Sequence, residues 1–354
     1  MLKILPYLKL CVEKNGSDLF FTANAPAQIK IEGELVPIGK NVLTREVVKE
    51  LAMSILSAEQ QQYLEQHLEI DLATEAGGLG RFRVNIFNQR GSLSMVLRYI
   101  RAGVPRLDEI AGMPPVLKDL ILHKRGLVLM VGATGSGKST TLAAMINHRN
   151  ETQSGHILTI EDPVEFIHPN KKSIINQREV GQDTISYERA LKSALREAPD
   201  VILVGEVRTR ETMDACIQLA NTGHLAISTL HANNAYQAMQ RIVNLYPESL
   251  RDQLYMDLSL TLRAIISQRL VRRKDGKRCA AIEVMINTPY IQELILNKRI
   301  DEIKEAMNQS SDKGMQTFDA SLYGLFKEGT ITLDEALTNA DSRTNLEAKI
   351  NFGT

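Results

Sequence analysis

Cysteine is scarce: the sequence has three, Cys11, Cys216 and Cys279. They are too few and too scattered for a disulfide framework or a Cys-x-x-Cys metal knuckle, which points to a reducing compartment. Neither sign of charge is in excess, since Lys and Arg together number 42 and Asp and Glu together number 42. That balance argues against a strongly basic nucleic-acid protein, although it leaves room for a local patch. No apolar run approaches the roughly 20 residues of a membrane span. The start, Met1 to Leu8, is apolar but soon broken by Glu13 and Lys14, and reads as a first helix rather than a signal peptide. Long internal repeats and low-complexity segments are also missing. The expectation from these absences is a cytoplasmic chain with no direct membrane insertion and, a local patch aside, no nucleic-acid partner. Its 354 residues, 44% hydrophobic and 24% charged, suffice for two domains with cores of their own.

One stretch organises the rest: Gly132-Ala133-Thr134-Gly135-Ser136-Gly137-Lys138-Ser139-Thr140. It fits G-x-x-x-x-G-K-[ST], a phosphate-binding loop. Its glycines let the backbone turn tightly, so that successive N–H groups face a β-phosphate. Lys138 would reach the β- and γ-phosphates, and the Ser139 hydroxyl would take a place on Mg²⁺. The apolar run from Gly126 to Val131 has the pattern of a buried parallel strand. Residues Thr141 to Ile146 read as a helix, whose N-terminus favours an anion. A nucleoside triphosphate is the expected ligand.

Residues 1–100 read as a compact α/β domain. A helix from Leu2 to Glu13 comes first, then a hairpin between Ala27 and Ile38 that turns at Gly33. Thr44 to Leu68 has helical apolar spacing, with Thr44 as N-cap. Gly80 to Asn88 and Leu93 to Ile100 form a strand pair. Phe82, Val84 and Ile86 face one side, and Arg81, Arg83 and Asn85 the other. That arginine face is either solvated or directed at phosphate, which arginine forks suit. The Gly- and Pro-punctuated residues 101–115 read as a linker, and 116–354 as a second α/β domain with C-terminal helices.

In the second domain, strands at 156–160 and 201–204 end in Glu161 and Glu206, and one at 225–230 is bracketed by His224 and His231. Ligands of a doubly wound sheet bind beyond the carboxyl ends of its strands, so Glu161, Glu206 and His231 fall where the loop puts phosphates. Phosphoryl transfer to water needs charge neutralisation, a positioned water and a metal. Glu206 fits the acid that orders metal-bound water, and Glu161 the acid that orients the attacking water. Asp162 fits either part, and Glu165 fits less well. His231 either hydrogen-bonds a γ-phosphate or is a structural histidine, and His224 is the weaker of the two. A basic hairpin turns at Asp275-Gly276 and reads as solvated rather than as a contact for nucleic acid or another subunit, and an apolar helical stripe runs through Ile291, Leu294, Ile295, Ile300 and Ile303.

Three segments are more specific than the loop: Thr159 to Phe166, Leu195 to Arg208 and Thr222 to Ala232. They look like the Asp box, Walker B segment and His box of the secretion/traffic ATPases of type II secretion and type IV pili. Over nearly its whole length the chain resembles that family, most of all the type IV pilus retraction ATPases of the PilT/PilU type. The resemblance implies a PAS-like N-terminal α/β domain and a RecA-like P-loop ATPase domain with a mostly parallel sheet. It implies ATP and Mg²⁺ as cofactors, held by Gly132, Thr134, Gly135, Ser136, Gly137, Lys138, Ser139 and Thr140, with Arg81 and His224 nearby. Glu161 is implied as catalytic base, Glu206 as the Mg²⁺ acid beside Ser139, and His231 as the γ-phosphate contact. Arg83 and Arg98 match arginine-finger positions.

A homo-hexameric motor that drives or assists pilus retraction in twitching motility is implied. A paralogous retraction ATPase and an inner-membrane pilus platform protein are its implied partners, and the chain would sit peripherally at that membrane. The alternative is an ATP-binding accessory subunit that acts only with a paralogue. An assembly ATPase with a four-cysteine metal module is disfavoured by the missing Cys-x-x-Cys. Two departures stand out: the family's Arg-Asp after Walker B is Arg208-Thr209, and a basic helix is replaced by Tyr290 to Asn297.

Overall fold

The computed structural model describes residues 3–31, 33–100, 103–310 and 314–352. The chain divides into two compact units, Met1–Gly103 and Val104–Thr354.

The first unit is built from α1 (Leu5–Glu13), β1 (Asp18–Phe21), β2 (Pro26–Ile31), β3 (Glu34–Val42), α2 (Arg45–Met53), α3 (Ala58–His67), β4 (Glu69–Ala76), β5 (Gly80–Gln89) and β6 (Ser92–Ile100). Its antiparallel sheet runs β3-β2-β1-β6-β5-β4. β5 has the expected alternation: Phe82, Val84 and Ile86 are buried in the core with Phe21, Val48 and Leu97, while Arg81, Arg83 and Asn85 stay partly exposed. Two expectations change. The helical stretch from Thr44 to Leu68 is two helices, because Ser57 starts a new one. Its hydroxyl accepts from Gln60 N at 3.2 Å while Gln60 Oε1 accepts from Ser57 N at 2.9 Å, a reciprocal cap. And residues 69–76, unassigned from sequence, are β4, paired along its length with β5. Leu2, the expected helix start, lies outside the described residues.

The second unit opens with α4 (Val116–Ile121) and β7 (Gly126–Val131), followed by α5 (Lys138–Thr152), β8 (Gly155–Glu161), β9 (Ser173–Glu179), α6 (Tyr187–Ala194) and β10 (Val201–Glu206). Then come α7 (Arg210–Asn221), β11 (Leu225–Leu230), α8 (Ala235–Asn244), α9 (Glu248–Thr261), β12 (Leu262–Arg272) and β13 (Arg278–Ile286). The chain ends in α10 (Pro289–Leu296), α11 (Ile303–Gln309), α12 (Phe318–Lys327), α13 (Leu333–Asn339) and α14 (Arg343–Phe352). The sheet order is β13-β12-β7-β11-β10-β8-β9, parallel except for β13.

The apolar run of β7 is explained by burial on both faces. Leu127, Leu129 and Val131 pack with α7, α8 and α9, and Val128 and Met130 with α4 and α5. Fully burying such a side chain contributes about 1.5–3 kcal/mol, so β7 is the natural backbone of the domain. The punctuated segment from Val104 belongs to this unit: Leu107 is buried with Leu117 and Met145, and Ala280 N donates to Ala111 O at 3.0 Å. Gly112 lies so close to the Ala280 carbonyl that a Cβ there would come within 2.0 Å of it. Among the described residues no helix is long and apolar enough to cross a membrane.

Candidate nucleotide site

The sheet order sets the site. β7 leads into the loop, and β11, β10 and β8 follow it in turn, so three parallel strands end beside the loop at the carboxyl edge. Gly137 closes the loop in the left-handed region, φ 86°, at the N-cap of α5. Lys138 Nζ donates to Gly132 O at 2.7 Å and to Ala133 O at 3.0 Å, folded back across the loop. Burial holds its ammonium below the usual lysine range, against the opposing pull of Glu206 and then Glu165. The Ser136 hydroxyl is buried with no hydrogen-bond partner among the described residues. A half-buried ammonium and an orphaned hydroxyl over a row of backbone amides fit a phosphate. A cleft of about 350 Å³ beside the loop is lined by Gly132 to Ser136, Gln268 and Arg278.

Glu161 ends β8. Its Oε1 accepts from Thr159 Oγ1 at 2.7 Å and from Gln177 Nε2 at 3.5 Å. Burial pushes its carboxyl up to about 7, and the Thr159 hydroxyl opposes that rise. Glu206 ends β10 and is engaged on both oxygens, by Arg208 Nε at 2.7 Å on Oε2 and by His231 Nε2 at 3.2 Å on Oε1. Ser139, in the first turn of α5, and Glu206 are a donor set suited to Mg²⁺, which keeps most of its shell as water and phosphate. No cluster of three or more His, Cys, Asp or Glu residues suited to a metal occurs among the described residues.

The structure thus brings Lys138, Ser139, Glu161, Glu206 and His231 to one edge of the sheet. Thr134 and Gly135 are exposed on the loop, Thr140 follows in α5, and Asp162 and Glu165 lie in the loop beyond β8. His224 is a correction. It precedes β11, at the opposite end of the strand from His231, roughly 20 Å away at ~3.3 Å per residue. Its Nδ1 pairs with Thr222 Oγ1 at 3.0 Å and Leu219 O at 3.1 Å, closing the end of α7. A strand bracketed by two histidines has them at opposite edges of the sheet. The expected solvated hairpin is also only partly so: Arg269 is held by Asp341 at 2.6 Å and by the Phe318 ring at 3.9 Å, while Arg272 is exposed.

In the first unit, Arg83 and Arg98 are register partners on β5 and β6. Arg83 Nε donates to Asp71 at 3.1 Å, and Arg98 Nε to Asp18 at 2.8 Å. Arg81 stands opposite Glu75 of β4.

Sequence reasoning missed two residues here. Arg208 reaches Glu206 from the adjoining loop. Tyr187 opens α6 with its hydroxyl where a Cβ on Gly205 would come within 2.6 Å; burial first, and then the nearby Asp162 and Glu161 carboxylates, push its phenol above the usual range. Tyr187 has no sequence signal of its own, whereas Arg208 closes the Walker B-like segment without its hold on Glu206 being legible there. One departure is explained: Thr209 caps α7, its Oγ1 accepting from Thr212 N at 3.4 Å. Threonine and aspartate both serve as N-caps, so the exchange preserves the helix start.

A strand, glycine-rich loop and helix, with acids at the neighbouring strand ends, define a P-loop nucleotide-binding domain. The chain belongs to the type II/IV secretion system protein family, which matches residues 7–338. It is 49% identical over 348 residues to the type IV pilus ATPase PilU of Pseudomonas aeruginosa, covering 98% of this chain and 91% of that one. To the type IV pilus retraction ATPase PilT of the same species it is 41% identical, covering 95% and 98%. The crystal structure of the pilus retraction motor PilT with bound ADP superposes with a TM-score of 0.90 at 40% identity, covering 97% of this chain and 98% of that one.

Proposed function

We propose that this chain is an ATP-hydrolysing motor subunit of a type IV pilus machine, assembled as a homo-hexamer, that drives or assists fibre retraction. The observation that carries it is the convergence of the Lys138 loop with Glu161 at one sheet edge. Kinship to pilus ATPases supports the setting. Glu161 takes the proton of the attacking water and orients it by accepting its hydrogen bond. Lys138 exchanges the Gly132 and Ala133 carbonyls for phosphate oxygens. His231 leaves Glu206 to donate to the γ-phosphate. Ser139 and Glu206 would hold Mg²⁺, which when bound neutralises charge on the β- and γ-oxygens. Arg83 and Arg98 of the PAS-like first domain, residues 1–100, act as arginine fingers on the phosphates of their own or a neighbouring subunit by leaving Asp71 and Asp18, with Arg81 beside them. The chain works in the cytoplasm, held at the inner membrane by the pilus platform protein.

A second reading, an accessory subunit active only beside a paralogue, is favoured by the engagement of both Glu206 oxygens by Arg208 and His231. Nucleotide binding and turnover test the proposal. Lys138→Ala should lose ATP binding, and Glu161→Gln should keep it while losing turnover by about 10²- to 10⁴-fold. Wild-type turnover in Glu161→Gln would remove the base from the mechanism.

A further inference from the structure

Gln268 is a buried amide that no motif singles out, 2% exposed on β12. β12 runs parallel to β7 with Ser267 opposite Val131, so Gln268 stands level with the first residue of the phosphate loop. Its Nε2 donates to Ser136 O, inside the loop, at 2.8 Å. Its Oε1 accepts from Thr141 Oγ1, in the first turn of α5, at 2.7 Å. The orientation of the amide is fixed by its partners, because a backbone carbonyl only accepts. The loop is moulded around this residue. A Cβ on Gly132 would come within 2.6 Å of Gln268 O, and one on Gly137 within 2.7 Å of Gln268 Nε2. Both glycines have positive φ, 156° and 86°. β12 is itself pinned at the next residue, where Arg269 donates to Asn339 O at 2.9 Å and pairs with Asp341 at 2.6 Å.

We infer that Gln268 is a positioning residue of the nucleotide site: it ties the phosphate loop to the helix that follows, so that the loop amides and Lys138 keep their phosphate-ready arrangement. It acts through Ser136 and Thr141, and the inference rests on the nucleotide-site reading above.

The test is the affinity of the full chain for a fluorescent ATP analogue. Gln268→Leu keeps the approximate size and removes both hydrogen bonds, and should bind about tenfold or more weakly, as expected when a buried carbonyl and hydroxyl lose their partner. Gln268→Glu is more discriminating. Ionised, it cannot donate to Ser136 O; protonated, it can. Its affinity relative to wild type should therefore recover as pH falls from about 8.5 to 6, while that of Gln268→Leu stays level. In a cycle with Thr141→Val, the Gln268→Leu loss should be less than additive. A folded Gln268→Leu binding within about twofold of wild type, or a Gln268→Glu ratio that ignores pH, overturns the inference. If Gln268→Leu does not fold, the Gln268→Glu pH trend decides alone. A wild-type chain that binds no nucleotide overturns the function reading and this one with it, whereas unchanged variants of a binding wild type overturn this one only.

Discussion

Removing one buried hydroxyl should move the pH at which this protein hydrolyses ATP. Thr159 is fully buried and donates to Glu161 Oε1 at 2.7 Å, stabilising the ionised carboxylate. A hydrogen bond to a charged group contributes about 1.5–3 kcal/mol, and ~1.36 kcal/mol corresponds to one pKa unit, so its loss is worth about 1–2 units. Thr159→Val keeps the branched shape and deletes only the hydroxyl. Starting from about 7 in the wild type, the Glu161 carboxyl should rise by that amount. Glu161 acts as a base and is active ionised, so turnover climbs with pH through its pKa. At pH about 7 the ionised fraction would fall roughly 5- to 50-fold in the variant, and the deficit would close above pH ~9. The assay is kcat/KM for ATP with Mg²⁺ across that range, which reports the free enzyme's carboxyl. An inflection left at the wild-type position, with kcat/KM lowered equally at every pH, would refute the reasoning.

Three other outcomes are expected. Glu161 has a folded-state pKa raised above its unfolded value of 4.5, so its ionisation lowers stability progressively as pH rises from that value through about 7. Glu161→Gln should therefore melt several degrees higher than wild type at alkaline pH and nearly alike below the unfolded pKa, by calorimetry. Arg83→Ala should lose on the order of a thousandfold in turnover if Arg83 acts as an arginine finger, and a loss under about tenfold in steady-state kinetics would remove that role. Thr209→Ala should cost about 1 kcal/mol of stability in denaturant unfolding, and Thr209→Asp almost nothing, because either side chain caps α7.

The phosphate loop and the acids beside it were legible because parallel strands buried on both faces leave continuous apolar runs. β7, β8, β10 and β11 all follow that rule, and Glu161, Glu206 and His231 are simply the residues at their carboxyl ends. β4 and β9 were not legible: each is an edge strand, and the exposed Glu69, Asp71 and Glu75, or the exposed Asn176 with half-buried Gln177 and Arg178, interrupt any apolar signal. The break between α2 and α3 lay hidden in helical spacing, although Ser57 with Gln60 carries its signature. Gln268 could not be found locally, since its role follows from β12 crossing to lie beside β7, a pairing between residues far apart in the chain. His224 misled for the opposite reason, because nearness in sequence to the motif was not nearness at the sheet edge.

The most direct test of the central claim, an ATP-driven ring motor, is steady-state ATP turnover per subunit measured across protein concentration, with Glu161→Gln as the blank. The account predicts turnover that climbs steeply as concentration rises and then levels, because assembly completes the site. Turnover no higher than the blank at every concentration, with ATP still bound, would contradict it.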